Sequence, residues 1–422
     1  LGMGGFHLTC LATSTEAVEK LRQRKRRPHK PLAVMAKDIS QARRFVRIRP
    51  AEMELLASPR RPIVLLEKTD DGPLSPLIAP GNGRVGVMLP YTPLHQLLLD
   101  AVGGPIVATS GNVSGAPIIT DPAEGMKRLR GIADHYVVHD RPIVNHCDDS
   151  VTMYAPALRK ELLVRRSRGF VPVPLRPPVP FTNRILAVGG QMKSVFCLGM
   201  GDKAVLSQHL GDLDDFEMYS SFERDLSFFE RTLGFAPEII AHDLHPDYAS
   251  TNYALRQAGA RKIPIQHHHA HFASCLADNG QPPGQSCIGV VWDGTGLGTD
   301  GAIWGGEFFL GSYGSVDRLA HFSYFSLPGG EQAIKEPWRI AAGLLEQFGI
   351  PATSVPTFLA GLSAEKIERV MSARAKGINS PVTSSAGRLF DAVSALIGIC
   401  SHVSYEAQAA IELENAAGPV TG

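Results

Sequence analysis

Apolar residues recur along this chain at two periods, and the switches between them mark out its elements. Ala17, Val18 and Leu21 follow one another at helical spacing behind Thr13 to Glu16, which has the Thr-x-x-Glu form of a capping box. The pattern predicts a helix that runs through the basic stretch 22–27 and stops before Pro28. Short apolar runs then predict strands at 31–35, 63–66, 85–89 and 106–108, with a helical stretch at 94–99 between them. Further on, Phe222, Leu226, Phe229 and Leu233 lie on one helical stripe that Gly234 should stop, and we read that stripe as core.

In the second half one unit occurs twice. Residues 185–188 read as a strand, 189–194 as a glycine-bearing turn and 195–198 as a second strand; 287–292, 293–301 and 302–310 repeat that order about a hundred positions later. Two such hairpins predict a duplicated fold with a phosphate cradle in each half, the architecture of actin-like and sugar-kinase-like ATPases. Between the halves of the chain, residues 171–181 hold five prolines in eleven positions, too many for a helix or a central strand. This places an extended linker there and divides an α/β chain into domains 1–176 and 177–422.

Composition narrows the classes. A net charge of +1, with 20% charged and 44% hydrophobic residues, fits a globular protein and argues against a general nucleic-acid or membrane-surface binder. Without an apolar run of membrane-spanning length or a secretory signal, a cytoplasmic location is the expectation. The six cysteines are scattered with no Cys-x-x-Cys pair, which suits buried free thiols rather than a thiolate zinc site.

The candidate chemistry is concentrated at Gln266-His267-His268-His269-Ala270-His271. On a helix, residues four apart share a face, so His267 and His271 are placed to offer two imidazoles to one metal ion while His268 projects elsewhere. A solvated helix start is the plainer reading of such a run. Asp293, 22 residues after His271, supplies a carboxylate in the second glycine turn, and two imidazoles with a carboxylate suit iron or zinc. His242-Asp243-Leu244-His245-Pro246-Asp247 reads equally as chemical or as a structural polar loop. In the first domain, Thr109-Ser110-Gly111-Asn112-Val113-Ser114-Gly115 is a turn of hydroxyls, an amide and glycines of the kind that approaches phosphate oxygens.

Lys25-Arg26-Arg27-Pro28 and Pro31-Leu32, taken with the turn from Thr109 to Pro117, resemble the Lys-x-Arg and Ser-x-Asn signature of YrdC-like domains. The opening from Gly2 to Leu8, the stretch from Val87 to His95, Asp148-Asp149-Ser150-Val151 and Arg165-Arg166-Ser167-Arg168-Gly169 are similar to the YrdC-like part of the HypF carbamoyltransferase family; Leu11, where an acidic residue is expected after Cys10, departs from it. The resemblance implies that Lys25 and Arg27 hold ATP phosphates, with Ser110 and Asn112 completing the site of a carbamoyl-adenylate. The second half resembles the other catalytic part of HypF in the run from Gln266 to His271, in residues 291–308, in Leu327-Pro328-Gly329-Gly330 with Glu336-Pro337-Trp338-Arg339, and in the run from Thr383 to Asp391. There the resemblance implies metal ligation by His267, His271 and Asp293, nucleotide contacts from Gly294, Thr295, Gly296, Gly387 and Asp391 (the last on the ribose), and a catalytic role for Lys193, although Gly190-Gln191-Met192 departs from the usual pattern.

What the resemblance implies as a whole is a YrdC-like α/β domain followed by an incomplete actin-like domain. Its cofactors are ATP and a divalent metal, iron or zinc, with magnesium possible beside the nucleotide. Its substrate is carbamoyl phosphate or carbamate, and its acceptor is the C-terminal cysteine of a HypE-like protein. An antibiotic O-carbamoyltransferase and a non-catalytic nucleotide- and metal-binding remnant are the alternatives. Family members also carry acylphosphatase-like, zinc-binding and further C-terminal parts, so the expectation is a fragment that stops before a fourth metal ligand.

Overall fold

The computed structural model describes residues 1–112, 115–355, 358 and 361–418; Val113 and Ser114 of the expected phosphate turn lie outside the described residues. The first helix is Thr15–Lys25, shorter than the apolar pattern suggested. Ser14, not Thr13, is its N-cap and accepts the Ala17 amide at 3.2 Å. The helix ends because Arg26 turns left-handed (φ 53°), and the following basic turn is gathered by Arg22. The buried Arg22 guanidinium donates to the carbonyls of Arg27, Pro28, Lys30, Leu77 and Ile78. The charge run is therefore only partly a solvated face: Arg22 and Lys25 point inward.

Strands β1 (His7–Leu8), β2 (Val34–Met35), β3 (Ile63–Glu67), β4 (Arg84–Met88), β5 (Ile106–Val107), β6 (Thr109–Ser110), β7 (Val151–Ala155) and β8 (Lys160–Arg165) build the first sheets. Six of them lie in the order β5-β2-β4-β3-β7-β8, mixed parallel and antiparallel, and β1 pairs separately with β6 so that His7 faces Ser110. Val34, Val64, Leu66, Val85 and Val87 carry the core of this sheet, with Val18 and Leu21 of the first helix against it.

β9 (Phe181–Ala187), β10 (Cys197–Gly201), β11 (Lys203–Leu206), β12 (Ile239–Asp243) and β13 (Arg261–Ile265) form a five-stranded sheet of order β11-β10-β9-β12-β13. The expected amphipathic helix is Phe216–Leu233, capped by Asp215 and stopped by Gly234 at φ 59°. Its Phe222 is fully buried, edge-on to Phe196 and Tyr253 at ring separations of 6.0 and 5.2 Å. The proline-rich stretch is not entirely free: Leu175 exchanges two backbone hydrogen bonds with Ala204 at 2.8 and 2.9 Å.

β14 (Cys287–Leu297), β15 (Ile303–Gly311), β16 (Val316–His321), β17 (Phe325–Ser326) and β18 (Val382–Thr383) form the last sheet, in which β14 pairs with β15. Here the sequence expectation needs correction. The glycine turn proposed at 293–301 is strand up to Leu297; the chain reverses only at 298–301, and the pairing slips in register between Trp292 and Gly296. A bulge of this kind re-aims side chains, and Asp293 sits in it. Along β14, Gly289 and Val291 are buried against the helix His267–Asp278, whereas Ile288, Val290 and Trp292 are 73, 57 and 55% exposed. A smaller core around Phe272, Leu276, Val291, Trp304 and Phe309 joins that helix to the sheet, and Trp338, Ile340, Leu344 and Ala392 carry another beside it.

By contacts the chain divides into two compact units, one of residues 1–175, 181–240 and 248–262 and one of 176–180, 241–247 and 263–422. Contact density and chain order thus group the residues differently. The division into 1–176 and 177–422 rests on chain order, and we keep it as a proposal.

Candidate metal and nucleotide sites

Gln266 starts the histidine helix. Its side-chain oxygen accepts the His269 amide at 2.9 Å, a cap that fixes where the helix begins and so which histidines share a face. His267 and His271 then bring their Nε2 atoms within 3.2 Å of one another. Across from them, Asp293 Oδ2 lies 3.2 Å from His267 Nε2 and 3.6 Å from His271 Nε2. Metal–ligand bonds of about 2.0–2.1 Å at tetrahedral angles put donor atoms about 3.3 Å apart, so this triad has the spacing of three corners of a zinc-like site. The buried Asp293 Oδ2 makes no aligned hydrogen bond despite the imidazoles around it, as expected of an oxygen shaped for a cation. Residues His267, His271 and Asp293 are the one group of metal-ligating type that converges among the described residues.

The electrostatics follow. Burial alone would push the Asp293 carboxyl up, but His267, His271 and the Gly294 amide outweigh it and hold the group well below the usual carboxylate range. Burial would lower His267, yet Asp243 and Asp293 carry it to about 9. His268 is different: fully buried, it is pushed down to about 4 and stays neutral. The Gln266 amide, which also donates to the Leu297 carbonyl at 3.1 Å, lies 3.2 Å from His268 Nδ1 and donates to it, which leaves the His268 proton on Nε2, 3.8 Å from Asp293 Oδ2.

The remaining residues of the second site frame this triad. A Cβ on Gly296 would lie 2.6 Å from His268 Cε1 and 2.9 Å from His267 Cδ2, so the glycine is the floor on which both imidazoles rest. Gly294 donates its amide to Asp293 Oδ1 at 2.6 Å, and Thr295 is half-buried between the two glycines. Gly387, in the first turn of the helix Ala386–Leu396, lies so close to the strand that a Cβ there would meet Gly294 Cα at 3.1 Å. Asp391 is paired with Arg388 at 3.0 Å and its side chain is only 4% exposed; burial, opposed by Arg388, lifts its carboxyl to about 6. Its expected ribose contact would have to compete with that ion pair. Ser385 escaped the sequence reading, although serine ahead of a helical pattern is an N-cap signal. Its hydroxyl accepts the Arg388 amide and lies 2.7 Å from the Asp293 carbonyl, to which it donates, stitching the helix to the strand that carries the metal-site carboxylate.

The first site is equally compact. Lys25, the last residue of its helix, is buried, and its Nζ donates to the Ser110 carbonyl, to Asn112 Oδ1 at 2.8 Å and to the Asn112 carbonyl at 3.3 Å. The Ser110 hydroxyl donates to the same Asn112 oxygen at 2.8 Å. Arg27 reaches Thr109 Oγ1 at 3.4 Å and the Pro31 carbonyl. Burial first, and then the Arg27 charge, push Lys25 down to about 7, with Asp148 opposing; burial and Arg22 likewise lower Arg27 to about 10. Two basic side chains close together lower one another's proton affinity, and the potential they create favours an anion. Nearby, His7 and Arg168 both hold Asp149, at 3.3 and 2.8 Å, and the Arg168 guanidinium lies 3.5 Å over the Tyr91 ring. Four stretches far apart in sequence therefore meet in one cluster.

Lys193 stands exposed in the loop after β9 with a left-handed backbone (φ 49°), its amide held by Asp212 at 2.8 Å. The departure at Gln191 has a structural reason: its side chain accepts the Ala249 amide at 2.7 Å and donates to Asp214, tying the loop down at both ends.

Comparison with known proteins agrees with this layout. Residues 2–167 match a YrdC-type family model described as Telomere recombination, residues 181–278 match the HypF Kae1-like domain, and residues 289–421 match the second subdomain of the carbamoyltransferase Kae1-like domain. The chain is 45% identical to carbamoyltransferase HypF of Synechocystis sp. across 98% of its own length and 55% of that protein's. With carbamoyltransferase HypF of Rhodobacter capsulatus it shares 44% identity over 99% of its length and 57% of the relative's. It superposes on a crystal structure of full-length HypF in the phosphate- and nucleotide-bound form with a TM-score of 0.93 at 41% identity, covering 97% of this chain and 53% of that one. The chain thus spans about half the length of the curated relatives it matches.

Proposed function

The chain belongs to the HypF family, and on that premise we propose that it is the nucleotide- and metal-handling part of an ATP-dependent carbamoyltransferase. Domain 1–176 joins carbamate, drawn from carbamoyl phosphate, to ATP: a carbamate oxygen attacks the α-phosphorus, pyrophosphate leaves and carbamoyl-adenylate forms. Lys25 and Arg27 are the residues suited to the charge that develops on the departing pyrophosphate, and Ser110 and Asn112 hold the Lys25 ammonium in place. Domain 177–422 passes the carbamoyl group on. The sulfur of a C-terminal cysteine on a HypE-like acceptor attacks the carbamoyl carbon, the bond to the phosphate oxygen breaks, and AMP leaves with the electron pair.

His267, His271 and Asp293 would hold a zinc or iron(II) ion there, and such an ion supplies Lewis-acid stabilisation of oxygen charge. Gly294, Gly296 and Gly387 shape the backbone beside it; the nucleotide contacts proposed are these three with Thr295 and Asp391, and the role proposed for Lys193 is catalytic. No helix among the described residues is long and apolar enough to cross a membrane, and a cytoplasmic site of action is part of the proposal.

The observation that carries this reading is the occurrence, in one chain, of the buried Lys25–Ser110–Asn112 cluster and the converging His267–His271–Asp293 triad. Pyrophosphate exchange into ATP, dependent on carbamoyl phosphate or carbamate, tests it in the full-length protein. Lys25→Ala should lower exchange by about a hundredfold or more, the scale of one electrostatic contact to a transition state. His267→Ala should leave exchange intact and stop carbamoyl transfer to an acceptor peptide. Loss of exchange in the histidine variant would refute this division of labour.

A further inference from the structure

The polar loop His242-Asp243-Leu244-His245-Pro246-Asp247 has no part in the function so far. Sequence alone left it open between chemistry and architecture. β12 ends on Asp243, which is buried, and both of its carboxylate oxygens are engaged. Oδ1 accepts the His245 amide at 2.9 Å, an interaction that fixes the plane of the carboxylate. Oδ2 lies 2.7 Å from His267 Nδ1. The loop is braced further by His242 Nδ1, 2.7 Å from the Asp243 carbonyl, and by His245 Nδ1, which accepts the Asp247 amide at 3.2 Å.

An imidazole that donates Nδ1–H to a carboxylate keeps its lone pair on Nε2. In His267 that Nε2 is the atom 3.2 Å from both His271 Nε2 and Asp293 Oδ2. We propose that Asp243 is a positioning residue of the metal centre, one that selects the His267 tautomer, sets the angle of its ring and makes Nε2 a stronger donor toward a borderline divalent cation. The inference rests on the metal reading of His267, His271 and Asp293. A carboxylate behind a metal-bound histidine typically accounts for about 10- to 100-fold in metal affinity. The Asp293 carboxylate is held differently, its Oδ1 accepting the Gly294 amide at 2.6 Å. The triad is thus backed by an anion on its imidazole side and by a backbone donor on its carboxylate side.

The experiment is Zn2+ affinity by chelator competition on the full chain, for wild type, Asp243→Asn, Asp243→Ala and His267→Ala. Thermal unfolding of each metal-free protein runs in parallel. Asp243→Ala should bind Zn2+ about 10- to 100-fold more weakly, and Asp243→Asn, which keeps an acceptor for Nδ1–H but not its charge, should fall between it and wild type. With Co2+ as the probe, the visible absorption of wild type should be tetrahedral in intensity, and that of Asp243→Ala altered. A purely structural Asp243 would lower the melting temperature of the metal-free protein and leave the affinity and the Co2+ spectrum of the folded protein unchanged, which overturns the proposal. Wild-type affinity no better than that of His267→Ala would overturn the metal reading itself, and this inference with it.

Discussion

A Cβ at position 296 would stand 2.6 Å from one imidazole and 2.9 Å from another, and neither ring has room to retreat, because His268 is fully buried and His267 is fixed by Asp243. Gly296→Ala should therefore cost about 1–3 kcal/mol of stability, the usual penalty of overpacking, and weaken Zn2+ binding in the same protein. Denaturant unfolding and metal titration read the two effects. At Lys25 the expectation concerns protons. Its ammonium is lowered to about 7 in the free site, and a bound phosphate would raise it again. Between about pH 7 and the bound-state value, nucleotide binding should take up a proton, and affinity should fall as pH rises through that range. Calorimetry at pH 8 in buffers of different ionisation heats would show the uptake; at pH 6, where Lys25 is charged in both states, it should vanish, and Lys25→Met should abolish it at pH 8. Single residues were legible in sequence to different degrees. His267 and His271 could be paired from their helical spacing, Asp293 could be set beside them as the carboxylate of the second glycine-rich stretch, and family resemblance implied one metal for all three. Asp243 stayed ambiguous because its partner lies 24 positions away and only the third dimension joins them.

Among the elements, the helix Phe216–Leu233 was readable from one apolar stripe and one glycine, since period and stop signal are both local. Phe222→Ala should cost about 3–5 kcal/mol by urea unfolding, because the ring is fully buried between Phe196 and Tyr253. β14 was harder. A glycine-rich run after a strand reads as a turn, yet Asp293 to Leu297 remain in the strand, because Gly296 and Leu297 still pair with Trp304 and Ile303 across the bulge. Gly296 is used for closeness to the histidine helix, a demand that composition cannot distinguish from the demand of a turn. The first helix shows the same limit at its end: nothing local announces that Arg22 will collect five carbonyls and curl the basic turn beneath it. Ser385→Ala removes an N-cap and the tie to the Asp293 carbonyl together, and should destabilise by about 1–2 kcal/mol in a denaturant titration.

For the molecule as a whole, the α/β class and the order of its parts were open to sequence reading, because strand and helix periods alternate plainly and the family stretches occur in order. The grouping of residues into compact units was not, since it depends on contacts between segments as distant as 181–240 and 1–175. Behaviour in concentrated solution also belongs to this scale. Ile288, Val290 and Trp292 form an outward apolar row on β14, a strand whose one ladder partner among the described residues is β15. An open backbone edge beside a greasy row is a template for another strand. Light scattering of this polypeptide should rise with concentration and salt, and Val290→Lys should suppress the rise without touching the Zn2+ affinity, because the side chain at 290 faces away from the histidine helix. The row that no catalytic assay reads would then decide how far the sample can be concentrated before it gels or precipitates.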